Sequence, residues 1–276
     1  MRKIVRILAL VLLIRSKKQY APSVRRKLIR TLLYLEWQSY LHPKINKPVV
    51  INMLHYKVHA YGYANLCVLF REIFVEEEYR YFNNIAPGEV LLDCGANMGL
   101  ATLYLKWRFP DIIIHAFEPD PVAFSLLQQN IETNQLKQVF AYNKAAMQQA
   151  GHIRFYRSLQ TKASLMMSTL KGRMNADCIE VEAIDFPQYV RQSGATLLKI
   201  DIEGAEAAIF EQMHTTGLGE LRQIVMEYHH KIDGQKAAFA RMLQILEAHQ
   251  FEYNLITKFE TPGQFQDILI YAWKQG

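Results

Sequence analysis

The chain has 276 residues, half of them hydrophobic and 21% charged, with 13 Gly, 9 Pro and 3 Cys. That length suits one large domain or a domain with an appendage, and it buries enough surface to hold a core without covalent staples. The apolar and aromatic content excludes disorder, the Gly and Pro content excludes collagen-like or low-complexity character, and three widely spaced cysteines (Cys67, Cys94, Cys178) exclude a disulfide framework or a paired-cysteine metal site. A reducing, cytoplasmic compartment is the expectation.

The net charge of +6 is concentrated at one end. Residues 1–35 carry ten Lys/Arg and no carboxylate, leaving 22 basic and 26 acidic side chains, a net of −4, for the other 241 residues. The protein is a mildly acidic body with a basic N-terminal arm, so its overall charge does not point to nucleic acid as a partner. Within the arm, Ile7–Ile14 is an unbroken apolar run of eight. A bilayer-spanning helix needs about 20. A secretory signal is a rival reading because Arg2, Lys3 and Arg6 precede the run, but cations follow it at once and no small-residue cleavage site appears. Val24–Leu41 sets Leu28, Leu32, Leu35 and Tyr40 near helical spacing. Two readings of residues 1–35 stay open: interfacial helices lying on an anionic membrane surface, peripheral at its inner face, or helices packed on the body with solvated charges.

His42–Pro48 has the polar, proline-bearing character of a linker, which divides the chain into an arm (1–48) and a main domain (49–276). Val49–Phe74 is aromatic and reads as β-like. After the turn signal Pro87–Gly88 the chain settles into alternation: strand Val90–Cys94, helix Leu100–Arg108, strand Ile112–Glu118, helix Pro121–Asn134 with Pro in its first turn, strand Val139–Asn143. Gly151–Ile184 breaks the rhythm with two strand-like pieces around a polar, Met-containing middle. Helix Asp185–Gln192, strand Leu197–Ile202, helix Ala205–Met213, strand Leu221–Tyr228 and helix Lys236–His249 follow. Phe251–Thr257 and Asp267–Trp273 close the chain as a hairpin. The pattern predicts a doubly wound α/β fold: a mostly parallel sheet, covered on both faces, with one antiparallel edge.

Asp93-Cys-Gly-Ala-Asn-Met-Gly99 joins the first parallel strand to a helix. Gly95 permits a sharp turn, Gly99 a close approach of helix to ligand, and the helix start offers free N–H groups. The dinucleotide fingerprint needs a middle Gly where Asn97 stands. The carboxylate of Asp93 suits a cationic ligand better than a pyrophosphate. Glu118, followed by Pro119, ends the second strand where doubly wound folds bind ribose hydroxyls, while Asp120 serves as the N-cap of the next helix. An adenosine-bearing cation fits both segments, and S-adenosyl-L-methionine is such a ligand, with Asp93 and Gly95-Ala96-Asn97 through Gly99 at its methionine end and Glu118-Pro119 at its ribose.

LLDCGANMG, FEPD and LLKIDIEGAE (197–206) occur in this order, and together they resemble the FkbM-type branch of the S-adenosylmethionine-dependent methyltransferases. Lys199, Asp201, Glu203, Gly204 and Glu206 match the later motif position by position, and Leu69–Phe74 and Pro87–Gly88 resemble what precedes the first strand. The likeness covers about residues 65–230. It implies a class I, Rossmann-like methyltransferase fold with a seven-stranded sheet, and methylation of hydroxyls, often on sugars, glycolipids or secondary metabolites.

Alcohols are weak acids, so a general base or a metal assists transfer to them. Asp201 and Glu203 stand at the carboxyl end of a central strand, where ligands of open α/β sheets bind. Glu227 and His229 end the next strand on one side of it. His229 could take the proton alone, or Asp201, Glu227 and His229 could hold a divalent cation. Lys199 reads as a buried partner for the carboxylates. Ser164–Ser168 is a candidate flap, though its methionines suit packing equally well. Tyr56, Tyr61, Tyr63, Phe74, Tyr79, Tyr81 and Phe82 read mainly as core, with stacking on a glycan as the alternative. Two rival functions are a non-catalytic, membrane-docked adaptor and a nicotinamide-dependent oxidoreductase; Asn97 and Asp93 speak against the latter.

Overall fold

A computed structural model describes residues 2–43, 47–80, 82–158, 176–202, 204–230, 238–257 and 266–275. Two helices, α1 (Arg2–Ser16) and α2 (Pro22–Leu41), precede a hairpin of β1 (Pro48–Met53) and β2 (Tyr56–Tyr61), helix α3 (Tyr63–Phe70) and a π-helical turn at Arg71–Glu76. The alternating part runs β3 (Val90–Cys94), α4 (Leu100–Arg108), β4 (Ile113–Phe117), α5 (Pro121–Thr133) and β5 (Val139–Tyr142). Then come β6 (Ala145–Met147), β7 (Gly151–Ser158), β8 (Ala176–Asp185), α6 (Phe186–Ser193), β9 (Leu197–Ile200) and α7 (Glu206–Thr216). β10 (Gln223–His230), α8 (Ala238–Ala248), β11 (Glu252–Thr257) and β12 (Gln266–Trp273) complete it.

Seven strands form the central sheet in the order β11-β12-β10-β9-β3-β4-β5. β10, β9, β3, β4 and β5 are parallel, and β12 is antiparallel to both β10 and β11. The expected parallel sheet with an antiparallel C-terminal hairpin is present. Alternation along each strand explains its two buried faces. Leu91 and Val225 point to the core shared with α3, α4 and α5, whereas Leu92, Ile224 and Met226 point to the core shared with α6, α7 and α8. β6, β7 and β8 make a separate three-stranded sheet.

The β-like reading of Val49–Phe74 holds only as far as Tyr61. Beyond it the chain is helical, because Leu66, Cys67, Phe70, Ile73 and Phe74 are buried at helical spacing although their residue types favour strands. The open side of β2 is covered by α5 rather than by another strand. Asn130 Oδ1 accepts from His59 N at 2.7 Å and its Nδ2 donates to His59 O at 2.8 Å. Asn134, one turn on, does the same for Lys57 at 2.8 and 3.0 Å. Two amide side chains thus satisfy an edge as a neighbouring strand would.

Residue 48 is not a packing boundary. Leu10, Ile14, Leu28, Leu32 and Leu35 belong to the same buried cluster as Phe70, Phe74 and Tyr104. Glu77 sits at the junction in a left-handed conformation (φ 58°), almost fully buried, and takes an ion pair from Lys17 and a hydrogen bond from Tyr20, with Arg108 at 3.6 Å. Removing one partner of such a buried pair leaves the other ion stranded. Glu77→Ala should therefore lower the unfolding free energy by roughly 3–5 kcal/mol in urea melts, and an unchanged midpoint would show that the arm is held by apolar contact alone.

Candidate active site

β3 and β9 lie side by side at the middle of the sheet, with Asp93 opposite Lys199. Both side chains are buried, and their charged groups are 3.3 Å apart. Thr102 Oγ1 donates to Asp93 Oδ2 at 2.8 Å, and Lys199 Nζ donates to the carbonyls of Cys94 (3.1 Å) and Gly95 (2.6 Å). Burial alone would lower the pKa of Lys199; the charges of Asp93 and Asp201 outweigh it and raise the pKa. Tyr79 covers the ammonium, its ring centre 5.9 Å away. Asp93 is thus turned into the interior and compensated there, instead of facing a cationic ligand as the sequence suggested. Its influence on the loop above runs through Lys199.

That loop turns at Gly95 (φ 74°), where a Cβ would lie 1.7 Å from the carbonyl oxygen of Asp201. At Gly99 a Cβ would lie 2.7 Å from Leu127 Cδ1, so this glycine admits helix α5. The free N–H groups expected here are largely engaged: Gly95 and Ala96 donate to Phe117 O at 3.0 Å each, Asn97 to Glu118 Oε2 at 2.8 Å, and Met98 to the Asn97 side chain at 2.8 Å. Asn97 is itself left-handed (φ 51°), a conformation asparagine tolerates. Asn130 Nδ2, which sequence reasoning did not single out, donates to Met98 O at 2.7 Å and ties the loop to the β2 edge.

Glu118, just after β4, is buried against this loop. It accepts from Asn97 N and from Asp120 N, both at 2.8 Å. Asn143 holds the carbonyls of Glu118 (2.8 Å) and Pro119 (3.0 Å), and Asp120 caps α5 through Val122 N and Ala123 N. Burial pushes the carboxyl of Glu118 up to about 8, although the two N–H donors pull it down. A carboxylate offers about four acceptor positions and two are used, so the residue fits a ribose diol.

The second half of the site is built by the turn after β9 and the end of β10. Asp201 is half-buried, with Oδ1 3.8 Å from His229 Nε2. His229 Nδ1 is 2.8 Å from Glu206 Oε1, and Glu206 also accepts from Gly204 N at 3.1 and 3.0 Å. Sequence matching placed Glu206 in the motif without a task; here it both fixes the turn and aims the imidazole. Burial lowers the His229 pKa, but the charge and hydrogen bond of Glu206, with Asp201 and Glu227, outweigh it and push it up to about 9. Burial and Asp201 raise the Glu227 carboxyl well above its ordinary range. Glu203 and the candidate flap Ser164–Ser168 lie outside the described residues. Of the expected cation set, Glu227 and His229 converge with Asp267 instead of Asp201: one ligand atom from each lies within 4.8 Å of the others. Glu227 and Asp267 also line a cavity of about 250 Å³ with Glu72, Glu76 and Glu78. Tyr79 is buried close by, its phenol raised well above the usual range by burial and by Asp201.

A glycine-turned loop after the first parallel strand, an acid ending the second, and charged side chains at the ends of the fourth and fifth, on a sheet with an antiparallel terminal hairpin, define a class I methyltransferase. The family described as the methyltransferase FkbM domain matches residues 93–253, more than half of the chain, and the chain belongs to it. Among curated relatives, the 31-O-demethyl-FK506 methyltransferase FkbM of Streptomyces tacrolimicus is 26% identical over 215 residues, covering 66% of this chain and 80% of that protein. Methyltransferase 1 of Beauveria bassiana is 27% identical over 224 residues, covering 71% and 86%. Among solved structures, M. jannaschii TYW2 in complex with AdoMet aligns over 82% of this chain and 85% of that one, at 13% identity and a TM-score of 0.47. The protein is an S-adenosylmethionine-dependent methyltransferase, and the oxidoreductase alternative does not describe it.

The glycines give a graded test. Gly88 (φ 82°) has open space around its missing Cβ, so Gly88→Ala should cost only left-handed strain, roughly 1–2 kcal/mol. Gly95→Ala should cost several kcal/mol more and abolish S-adenosylhomocysteine binding by displacing Asp201. Equal losses of stability in the two variants would remove the close approach of the two loops from the account.

Proposed function

We propose that the enzyme methylates a hydroxyl group of a sugar, glycolipid or secondary metabolite. Bound in the notch, S-adenosylmethionine would supply a methyl group activated on a sulfonium. In this reading Glu118 accepts the ribose hydroxyls, the Gly95-Ala96-Asn97 turn and Pro119 frame the nucleoside, and Gly99 sets the helix behind them. Lys199 and Asp93 keep the loop carbonyls in place from below.

The observation that carries the reading is the Glu206–His229 pair. A buried carboxylate holding one ring nitrogen of an imidazole leaves the other directed to the reacting groups, the arrangement by which a histidine is oriented as a general base. His229 Nε2 faces Asp201; in its neutral form, favoured above about 9 in the free protein, we assign it the proton of the acceptor hydroxyl, with Asp201 fixing that hydroxyl. The name of the Streptomyces relative denotes transfer to oxygen, which supports a hydroxyl acceptor here. Glu203 stands two residues after Asp201 in the sequence, and we keep it as a catalytic candidate on its motif position.

His229→Ala should lower kcat by roughly 10²–10⁴-fold and leave S-adenosylhomocysteine affinity nearly unchanged, as measured with labelled methyl donor on a panel of hydroxylated glycans and glycolipids. Exclusive transfer to nitrogen or carbon acceptors would overturn the assignment. The spacing of Glu227, His229 and Asp267 favours a second reading, in which a divalent cation polarises the hydroxyl. Full activity after exhaustive chelation upholds the histidine acting alone, whereas loss restored by Mg²⁺ transfers the task to the cation.

Glu118 gives a pH test. Ribose hydroxyls donate to its ionised form, which is favoured only above about 8 in the free protein, so binding is coupled to loss of a proton. S-adenosylhomocysteine affinity should rise as pH increases from about 6 to 8 and flatten in Glu118→Gln. Affinity independent of pH in the unaltered protein would mean that the carboxylate does not meet the ribose.

A further inference from the structure

The arm has two apolar faces, and the fold uses only one. Leu10 and Ile14 of α1 and Leu28, Leu32 and Leu35 of α2 are buried against the body. On the opposite side of α1, Ile4, Val5, Leu8 and Leu12 are 57–65% exposed, and near the end of α2 Trp37 and Tyr40 are 59% and 67% exposed. The helices run antiparallel. Lys3 lies 3.6 Å from Glu36 and 5.3 Å from the Tyr40 ring centre, while Arg25 donates to Arg15 O at 2.8 Å. Their outward faces therefore adjoin, with the aromatic end of α2 beside the start of α1. Exposed charges flank the apolar face at both ends: Lys3 and Arg6 near the start of α1, and Lys18, Arg26, Lys27 and Arg30 at the other end. Glu36, the first carboxylate in the chain, is buried and paired with Arg71, so it does not offset them.

We propose that this outer face of α1 and α2 docks on an anionic lipid bilayer. No helix among the described residues is long and apolar enough to cross a membrane, so the hairpin lies in the interface. There the Leu and Ile side chains enter the acyl boundary, Trp37 and Tyr40 take the headgroup level, and the lysines and arginines meet anionic headgroups. Charge decides between occupants. A second copy would bring another basic arm, its Glu36 buried, against this one, and a nucleic acid would satisfy the cations while leaving Leu8 and Leu12 in water. Only a surface that is both anionic and apolar beneath complements the whole face. The docking is independent of which acceptor is methylated.

The test uses the full chain with 100 nm vesicles of phosphatidylcholine, with and without about a quarter phosphatidylglycerol. The protein should co-sediment with the anionic vesicles at least tenfold more tightly than with the neutral ones. Brominated acyl chains should quench a part of the tryptophan emission that disappears in Trp37→Phe. Leu8→Glu/Leu12→Glu should reduce vesicle binding at least tenfold with unchanged S-adenosylhomocysteine affinity, which certifies the fold. Absence of sedimentation, or undiminished sedimentation of the double variant, overturns the proposal. So does a concentration-dependent dimer abolished by the same substitutions without any vesicle binding, which would give the face to a second copy.

Discussion

One buried ion pair, Asp93 with Lys199, organises the rest of the site. Taking two charges out of water is costly, and their mutual attraction together with further hydrogen bonds to each ion offsets that cost. Here Thr102 serves the acid while the carbonyls of Cys94 and Gly95 serve the ammonium. Those carbonyls belong to the turn that leaves β3, so the pair fixes the loop as well as the two strands. With the turn held against β9, Asp201 must pass within contact of Gly95, and a residue with a side chain has no place there. The pair therefore sets both the donor notch and the position of the first acid beside it.

Charge accumulates outward from this centre. Asp201, Glu206, Glu227 and Asp267 surround His229, and in the ligand-free protein the imidazole answers their field by holding its proton. Tyr79 links the two halves: its ring lies over Lys199 and its hydroxyl is raised by Asp201, Glu78 and Glu227. Two residues earlier, Glu77 receives Lys17 and Tyr20 from the arm. The arm's contact at Glu77 is thus two residues of backbone away from Tyr79.

The alternation of strands and helices from Val90 onward was legible because buried parallel strands are short apolar runs punctuated by turn residues, and the elements fall within a few residues of the expected bounds. Tyr63–Phe74 was misread because its aromatic and β-branched residues mask a helical spacing. Motif reading named candidate site residues but not their directions. Asp93 looked like a ligand for a cation until its cross-strand neighbour was seen to be Lys199, a relation fixed by sheet register. The packing of Leu127 against Gly99 was likewise invisible to the motif. Asn130 carried no local signal, since its partners His59 and Met98 are distant in sequence. Glu206 stood within a motif, but its hydrogen bond to His229 depends on the order of two strands.

The most direct test of this account is the dissociation constant of S-adenosylhomocysteine for Lys199→Met, measured calorimetrically at a temperature where the variant is folded. If the buried pair shapes the notch, affinity falls at least tenfold even though the substituted side chain never touches the ligand. Unaltered affinity in a folded Lys199→Met protein would contradict it.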